Sequence, residues 1–303
     1  MNSDTEVKPS VTPFFHAPTG TWTYVVADPA SRAAAVIDPV LDYDWRSGRT
    51  GTKSADALAT HCANECLEVA WILETHAHAD HLSAAPHLKS RLGGRIAIGR
   101  GILQVQATFK QVFGLGADFT ADGSQFDALL DDGDRVDLGA IQGRVIAAPG
   151  HTSDSVAYLV GDALFVGDTV FMPDGGSARC DFPGGDAAEL YRTVQRLYAL
   201  PAETRVFVCH DYSPGGREPR CETTVAAQRE GNIHVRDGVS EASFVEMRRT
   251  RDATLDVPNL IIPSVQANIR AGRLPAAEAD GVSYFKVPLN VFGRPLWFEG
   301  VRT

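Results

Sequence analysis

The chain predicts an α/β fold: two β-sheets packed face to face beneath outer helices, an αββα sandwich carrying a C-terminal extension. Three observations predict it. About eight short β-rich runs, each closed by Gly, Asp, Pro or His, fall into two groups along the chain. Helical stretches separate them. Several of the runs also end directly on a histidine or aspartate, which is where sheet scaffolds build sites.

The first group of strands comprises "WTYVVAD", "AAAVID", "EVAWILETH" and "RIAIG", and the second "GRVIAAPGH", "SVAYLVGD", "ALFVGD" and "RVFVCHD". Helices are expected at Ser54–Leu67, Leu82–Leu92, Ile102–Phe113 and Asp186–Leu200. The last opens on Asp-x-x-Glu at 186 to 189, much like a capping box, and stops at Pro201. Asp42–Lys53, polar, glycine-bearing and without periodicity, is expected to be a mobile loop. After Asp211 the pattern changes. "CETTVAAQREGN" and "SEASFVEMRRTRDA" read as helices, whereas "VPNLIIPS" and "ADGVSYFKVPLN" read as irregular, proline-punctuated segments. Residues 1–211 are therefore expected to form the catalytic core, and 212–303 a helical and irregular extension packed on it.

At 303 residues and 44% hydrophobic content, the chain can bury a sizeable core. Its net charge of −10 is scattered rather than blocked, which excludes a nucleic-acid footprint or a polybasic membrane patch. The start "MNSDTEVKPSVTPFF" lacks a basic stretch followed by an apolar one, and no apolar run is long enough to span a bilayer. A cytoplasmic protein acting on small molecules, and forming a homo-oligomer, is expected. The cysteines at 62, 66, 180, 209 and 221 lack CxxC spacing and are expected to be reduced, buried hydrophobes.

The chemistry concentrates at "ETHAHADH", where His76, His78, Asp80 and His81 follow the apolar run "VAWIL" within six residues. A strand sends alternate side chains to opposite faces, and a helix begun at Asp80 would turn the later ones back towards the strand's end. Three further strand ends deliver His151, Asp168 and His210. Seven converging donors without partners are unfavourable unless a cation sits among them. The donors are imidazole and carboxylate without thiolate, which leaves zinc, Fe(II) and manganese open. His16, His61, His87 and His234 are expected to be structural or solvated, and Asp28, Asp38 and Asp162 to serve turns and caps.

"THAHADH" fits the T-H-x-H-x-D-H signature of the metallo-β-lactamase superfamily, and "PGHT", "VGDT" and "CHD" follow in that superfamily's order. "SARCDFPGG", "CHDY", "TTVAAQREGN", "FVEM" and "PSVQANIRAG" further resemble its persulfide dioxygenase branch, whose members share the fold of glyoxalase II. The resemblance implies oxidation of glutathione persulfide by O2 to sulfite and glutathione. It also implies one Fe(II) per chain, held by His76, His151 and Asp168, with His78, Asp80, His81 and His210 around the ligands or on a second metal. By the same resemblance Tyr212 is assigned to catalysis and substrate binding, and Arg179 and Arg270 to binding the glutathione carboxylates. The rival in the same fold is a dinuclear thioester hydrolase of the glyoxalase II type, with zinc and a metal-bound hydroxide. A metal-bound sulfur sensor without turnover is the alternative from another class.

Overall fold

The computed structural model describes residues 8–293. One sheet holds six strands in the order β1 (Ser10–His16), β2 (Thr21–Ala27), β3 (Ala33–Ile37), β6 (Glu68–Leu73), β8 (Arg95–Gly99) and β9 (Ala128–Leu130). The first three pair antiparallel and the rest parallel. The second sheet runs β10 (Gly143–Ala147), β11 (Val156–Val160), β12 (Ala163–Phe165), β13 (Arg205–Phe207) and β14 (Glu222–Thr224). A small third sheet joins β4 (Val40–Asp44) to β5 (Arg49–Gly51) and β7 (Leu82–Ser83). The helices are α1 (Lys53–Asn64), α2 (Ala85–Leu92), α3 (Ile102–Val112), α4 (Ala187–Tyr198), α5 (Val225–Gly231), α6 (Glu241–Asp252) and α7 (Ile261–Asn268).

The period of two in the strands divides their apolar residues between layers. On β2, Val25 packs outwards with residues of α1, α2, α3 and α7, whereas Tyr24 and Val26 face the second sheet. Ile72 of β6 points out and Leu73 in, and β3 sorts Val36 and Ile37 the same way. The inner layer is completed by Val145, Tyr158, Phe165 and Phe207 of the second sheet, whose other face buries Ala157, Leu164 and Val206 beneath α4, α5 and α6. Three apolar layers between four structural ones make the αββα sandwich.

Several local expectations are corrected. The expected loop at Asp42–Lys53 contains the β4–β5 hairpin, tightened where Asp44 accepts from the Arg46 amide and the Ser47 hydroxyl. Leu82 and Ser83 are strand rather than helix, pairing with β4, and α2 starts at Ala85 with Pro86 in its first turn, where no amide donor is needed. No helix begins at Asp80; the chain stays irregular from Glu74 to His81. β1 escaped notice because Pro13 interrupts it, but at a sheet edge the missing amide costs little. The end of "VPNLIIPS", read as irregular, instead opens α7 at Ile261, with Pro263 tolerated in the first turn. Within "CETTVAAQREGN" the helix starts only at Val225, capped by the Thr224 hydroxyl, and Glu222–Thr224 close the second sheet. The last ten residues of the expected extension, 294–303, lie outside the described residues.

Phe165 is buried between Tyr24 at 5.2 Å and Phe207 at 5.0 Å, where the two sheets meet. Phe165→Ala should lower unfolding free energy by about 3–5 kcal/mol in a denaturant titration, with the cavity unable to close between two rigid sheets.

Candidate metal centre

The irregular segment from Glu74 to His81 leaves β6, and apart from the half-buried Ala79 and Asp80 its residues are buried although it has no ladder of its own. Buried backbone needs partners, and side chains supply them. Asp38, at the end of β3, accepts from the Thr75 amide at 2.7 Å and the Thr75 hydroxyl at 2.9 Å. Asp154 accepts from the Ala77 amide. Asn268, at the end of α7, donates to the carbonyls of both His78 and His81 at 2.8 Å and accepts from the Ser83 amide at 2.9 Å.

These contacts also set the imidazole tautomers. The Thr75 hydroxyl proton goes to Asp38, so His76 donates Nδ1–H to Thr75 Oγ1 at 3.1 Å and keeps a lone pair on Nε2. His78 donates Nε2–H to Asp38 Oδ1 at 2.9 Å, leaving Nδ1 free. His151 donates Nδ1–H to the Arg179 carbonyl at 2.7 Å. His81 and His210 engage Nδ1 with Asp80 and with the Thr21 hydroxyl, both at 3.3 Å. Thr21 continues through Thr19 to His16, so His16 is tied to the outer wall of the site rather than merely solvated.

What remains is a set of buried atoms without partners: Nε2 of His76, His81 and His210, Nδ1 of His78, and Oδ1 of Asp168. They fall in two groups. His76, His151 and Asp168 form one, with Asp168 Oδ2 3.8 Å from His76 Nε2 and 3.6 Å from His151 Nε2. His78, Asp80, His81 and His210 form the other, and His210 Nε2 lies 3.4 Å from Asp80 Oδ2. Asp168 stands between them, its Oδ1 3.3 Å from His210 Nε2. Ligands about 2.0–2.2 Å from one cation sit roughly 3–3.5 Å from each other, so both groups fit a metal. Burial, reinforced by neighbouring imidazoles, holds His76 and His78 well below the usual histidine range, in the neutral form that ligates. At Asp80 the upward push of burial is outweighed by His210 and His81, which keep it ionised.

Local backbone constraints place the donors. Gly150, before His151, has φ +135°, and an added Cβ would lie 2.3 Å from Leu190 Cα at the start of α4. Gly167, before Asp168, has φ +52° and packs against Thr75. Only glycine fits such positions.

The residues assigned to substrate separate. Tyr212 and Arg179 line a cavity of about 510 Å³ that opens beside His151 and Asp168. Tyr212 is exposed, its ring stacked on His210. Arg179 is already committed: its guanidinium forms a two-point ion pair with Asp181 at 2.6 and 2.7 Å, donates to the Asp256 carbonyl at 2.6 Å and lies over Phe182. Arg270 is not at this cavity. It is buried over the Phe119 ring and donates to the Gln266 carbonyl, so its expected contact with substrate is corrected to a packing role. Asp38 and Asn268 are the main residues missed. Asp38 ends a strand without histidine neighbours, and Asn268 is separated from the loop it clasps by about 190 residues of chain, so no local pattern marks either.

A family model described as the metallo-beta-lactamase superfamily matches residues 17–210. The chain is 53% identical to a protein named "Probable metallo-hydrolase" of Burkholderia pseudomallei, over 91% of this chain and 98% of that one. It is 28% identical to the human persulfide dioxygenase ETHE1, over 83% of this chain and 84% of that protein. The crystal structure of ETHE1 from Myxococcus xanthus superimposes with a TM-score of 0.70 at 30% identity, covering 87% of this chain and all of that one.

Asn268→Ala should lower stability by about 1–3 kcal/mol, because two buried carbonyls and one amide lose their partner. Metal retained after gel filtration should fall with it, and metal content equal to the parent's would show that the loop is held by other contacts. Gly150→Ala should displace His151 or fail to fold, read as lost metal together with a lowered melting temperature.

Proposed function

The chain belongs to the metallo-beta-lactamase superfamily, and within it we propose that the protein is an iron-dependent persulfide dioxygenase, converting glutathione persulfide, O2 and water to glutathione, sulfite and two protons. One observation carries this reading. His76, His151 and Asp168 gather two imidazoles and one carboxylate on one side of the substrate cavity, the ligand set that leaves positions open on ferrous iron. The likeness to the Myxococcus and human persulfide dioxygenases supports it. An Fe(II) held by His76, His151 and Asp168 would supply the redox chemistry between the persulfide and O2.

The protein's own residues do the rest. The Arg179 carbonyl and the Asp38–Thr75 pair fix His151 and His76 with Nε2 turned inward. Such outer contacts hold ligand geometry through turnover. Phe171, Phe182 and Tyr212 make one wall of the cavity apolar, which keeps water from the sulfur while leaving a mouth for the thiol carrier. No protein nucleophile is needed, and the buried thiols of Cys180 and Cys209 are pushed up by desolvation, unsuited to act as one.

A second reading, a dinuclear thioester hydrolase, is favoured by the position of Asp168. Its two oxygens address the two donor groups separately, and a bridging carboxylate would do so. The name of the Burkholderia relative is in keeping with it.

Metal analysis of protein purified without added metal, paired with O2 uptake on glutathione persulfide and hydrolysis of a glutathione thioester, separates the two. One iron per chain with O2 uptake is expected; two zinc equivalents with thioester hydrolysis alone would reject the proposal. His76→Ala, His151→Ala and Asp168→Ala should each release the metal. Asp80→Ala, His81→Ala and His210→Ala should keep about one iron while turnover falls roughly 10- to 100-fold.

A further inference from the structure

His210 meets the first sheet through Thr21. The two pair as an isolated β-bridge, the Trp22 amide donates to the Cys209 carbonyl at 2.7 Å and the Asp211 amide to the Gly20 carbonyl at 3.1 Å, so backbone holds Thr21 Oγ1 at 3.3 Å from His210 Nδ1. From Thr21 the contacts lead away from the donor groups. Thr21 Oγ1 lies 2.7 Å from Thr19 Oγ1, which lies 2.7 Å from His16 Nδ1, and His16 Nε2 faces Asp42 Oδ1 at 3.4 Å. The turn that carries these side chains is tight, since the Thr19 and Gly20 amides both donate to the His16 carbonyl. The chain ends at a separate cleft of about 380 Å³, whose walls include Phe14, His16, Asp42 and Lys53 and none of the seven donors. His16 and Thr19 are therefore no part of the cavity beside the metal donors.

The chain has one direction. Asp42 accepts from the Ser54 hydroxyl at 2.6 Å and the Ser54 amide at 3.0 Å, so its carboxylate meets the chain as an acceptor. Burial keeps His16 below the usual histidine range although Asp42 pulls the other way, and the single proton of the neutral ring belongs on Nε2, facing that carboxylate. Nδ1 must then accept from Thr19, Thr19 from Thr21, and Thr21 from His210 Nδ1–H. Asp80 Oδ2, at 3.5 Å, is the weaker claimant on the Thr21 proton. Across the ring, His210 Nε2 lies 3.3 Å from Asp168 Oδ1 and 3.4 Å from Asp80 Oδ2, carboxylates that draw a proton to it. We propose that His16 and Thr19 are positioning residues of the metal centre: anchored on Asp42, they hold a proton on His210 Nδ1 and so reserve the Nε2 lone pair for the site. The proposal rests on the metal reading of the donor set and not on the number of metals. A second metal needs that lone pair as a ligand, and a site with one metal has it as an acceptor beside Asp168.

Nitrogen NMR of the metal-free full chain, isotopically labelled at histidine, shows which ring nitrogens carry protons and needs no turnover. The parent should show His210 protonated on Nδ1, and His16 protonated on Nε2 with Nδ1 bare. Thr19→Val, which keeps the shape of the side chain and removes its hydroxyl, should strip the proton from His210 Nδ1 and leave it on Nε2. Thr19→Ser should return it. In the iron-loaded chain Thr19→Val should lower kcat for glutathione persulfide roughly 10- to 100-fold while KM stays within about twofold. His16→Leu should do the same, and the double variant should be no slower than either single one, because both break one chain. A bare Nδ1 on His210 in the parent overturns the proposal, as do parent-like protonation and kcat in Thr19→Val, or losses that multiply in the double variant. If the parent consumes no O2 with the persulfide, the dioxygenase reading falls, and the histidine protonation pattern still decides the role of His16 and Thr19.

Discussion

Burying five imidazoles and the carboxylate of Asp168 where two sheets meet is the constraint on which the rest of this structure depends. Each such group loses water on folding, and one left without a partner costs about 1–3 kcal/mol by mutational measures. The protein meets half of that demand itself, giving one nitrogen of each imidazole a hydroxyl, carboxylate or carbonyl. It leaves the other half open, and the open atoms face one another. A scaffold that held these atoms for stability alone would have closed the set with a further donor or an apolar side chain. A cation would complete it.

The same constraint explains the architecture around the site. A loop with no regular hydrogen bonding can stay buried only if side chains from elsewhere satisfy its backbone. Asp38 from the first sheet, Asp154 from the second and Asn268 from α7 do so from three directions. The helix α7 therefore ties the C-terminal part of the chain to the donors of the core, and its apolar face joins the layer beneath α1, α2 and α3. Asp168, aimed at both donor groups, is where the mononuclear and dinuclear readings part. Whether its Oδ1 meets a metal or only the imidazole of His210 is a question of occupancy, not of fold.

Much of this was legible in the residues. Strands ending on His or Asp, and the tight cluster at 76 to 81, located the donors, because a strand end presents side chains at a fixed place and direction. The two groups of strands foretold the two sheets and their helical covers. What stayed hidden was of two kinds. Prolines at 13 and 263 disguised a strand and a helix, since the cost of proline depends on whether the position faces an edge or a first turn, which only the tertiary arrangement reveals. The residues that orient the site rather than form it, Asp38 and Asn268 above all, sit far from the donors in sequence and carry no local signature. Arg179 lines the pocket beside the donors, where the sequence placed it, and its pairing with the neighbouring Asp181 became visible only in the structure.

The central claim is that one iron sits among His76, His151 and Asp168, with the second donor group shaping the pocket. Anomalous diffraction on either side of the iron and zinc absorption edges, from crystals of protein purified without added metal, tests it most directly. The account predicts a single iron peak bounded by those three side chains. A second peak among His78, Asp80, His81 and His210, or zinc at either place, would contradict it.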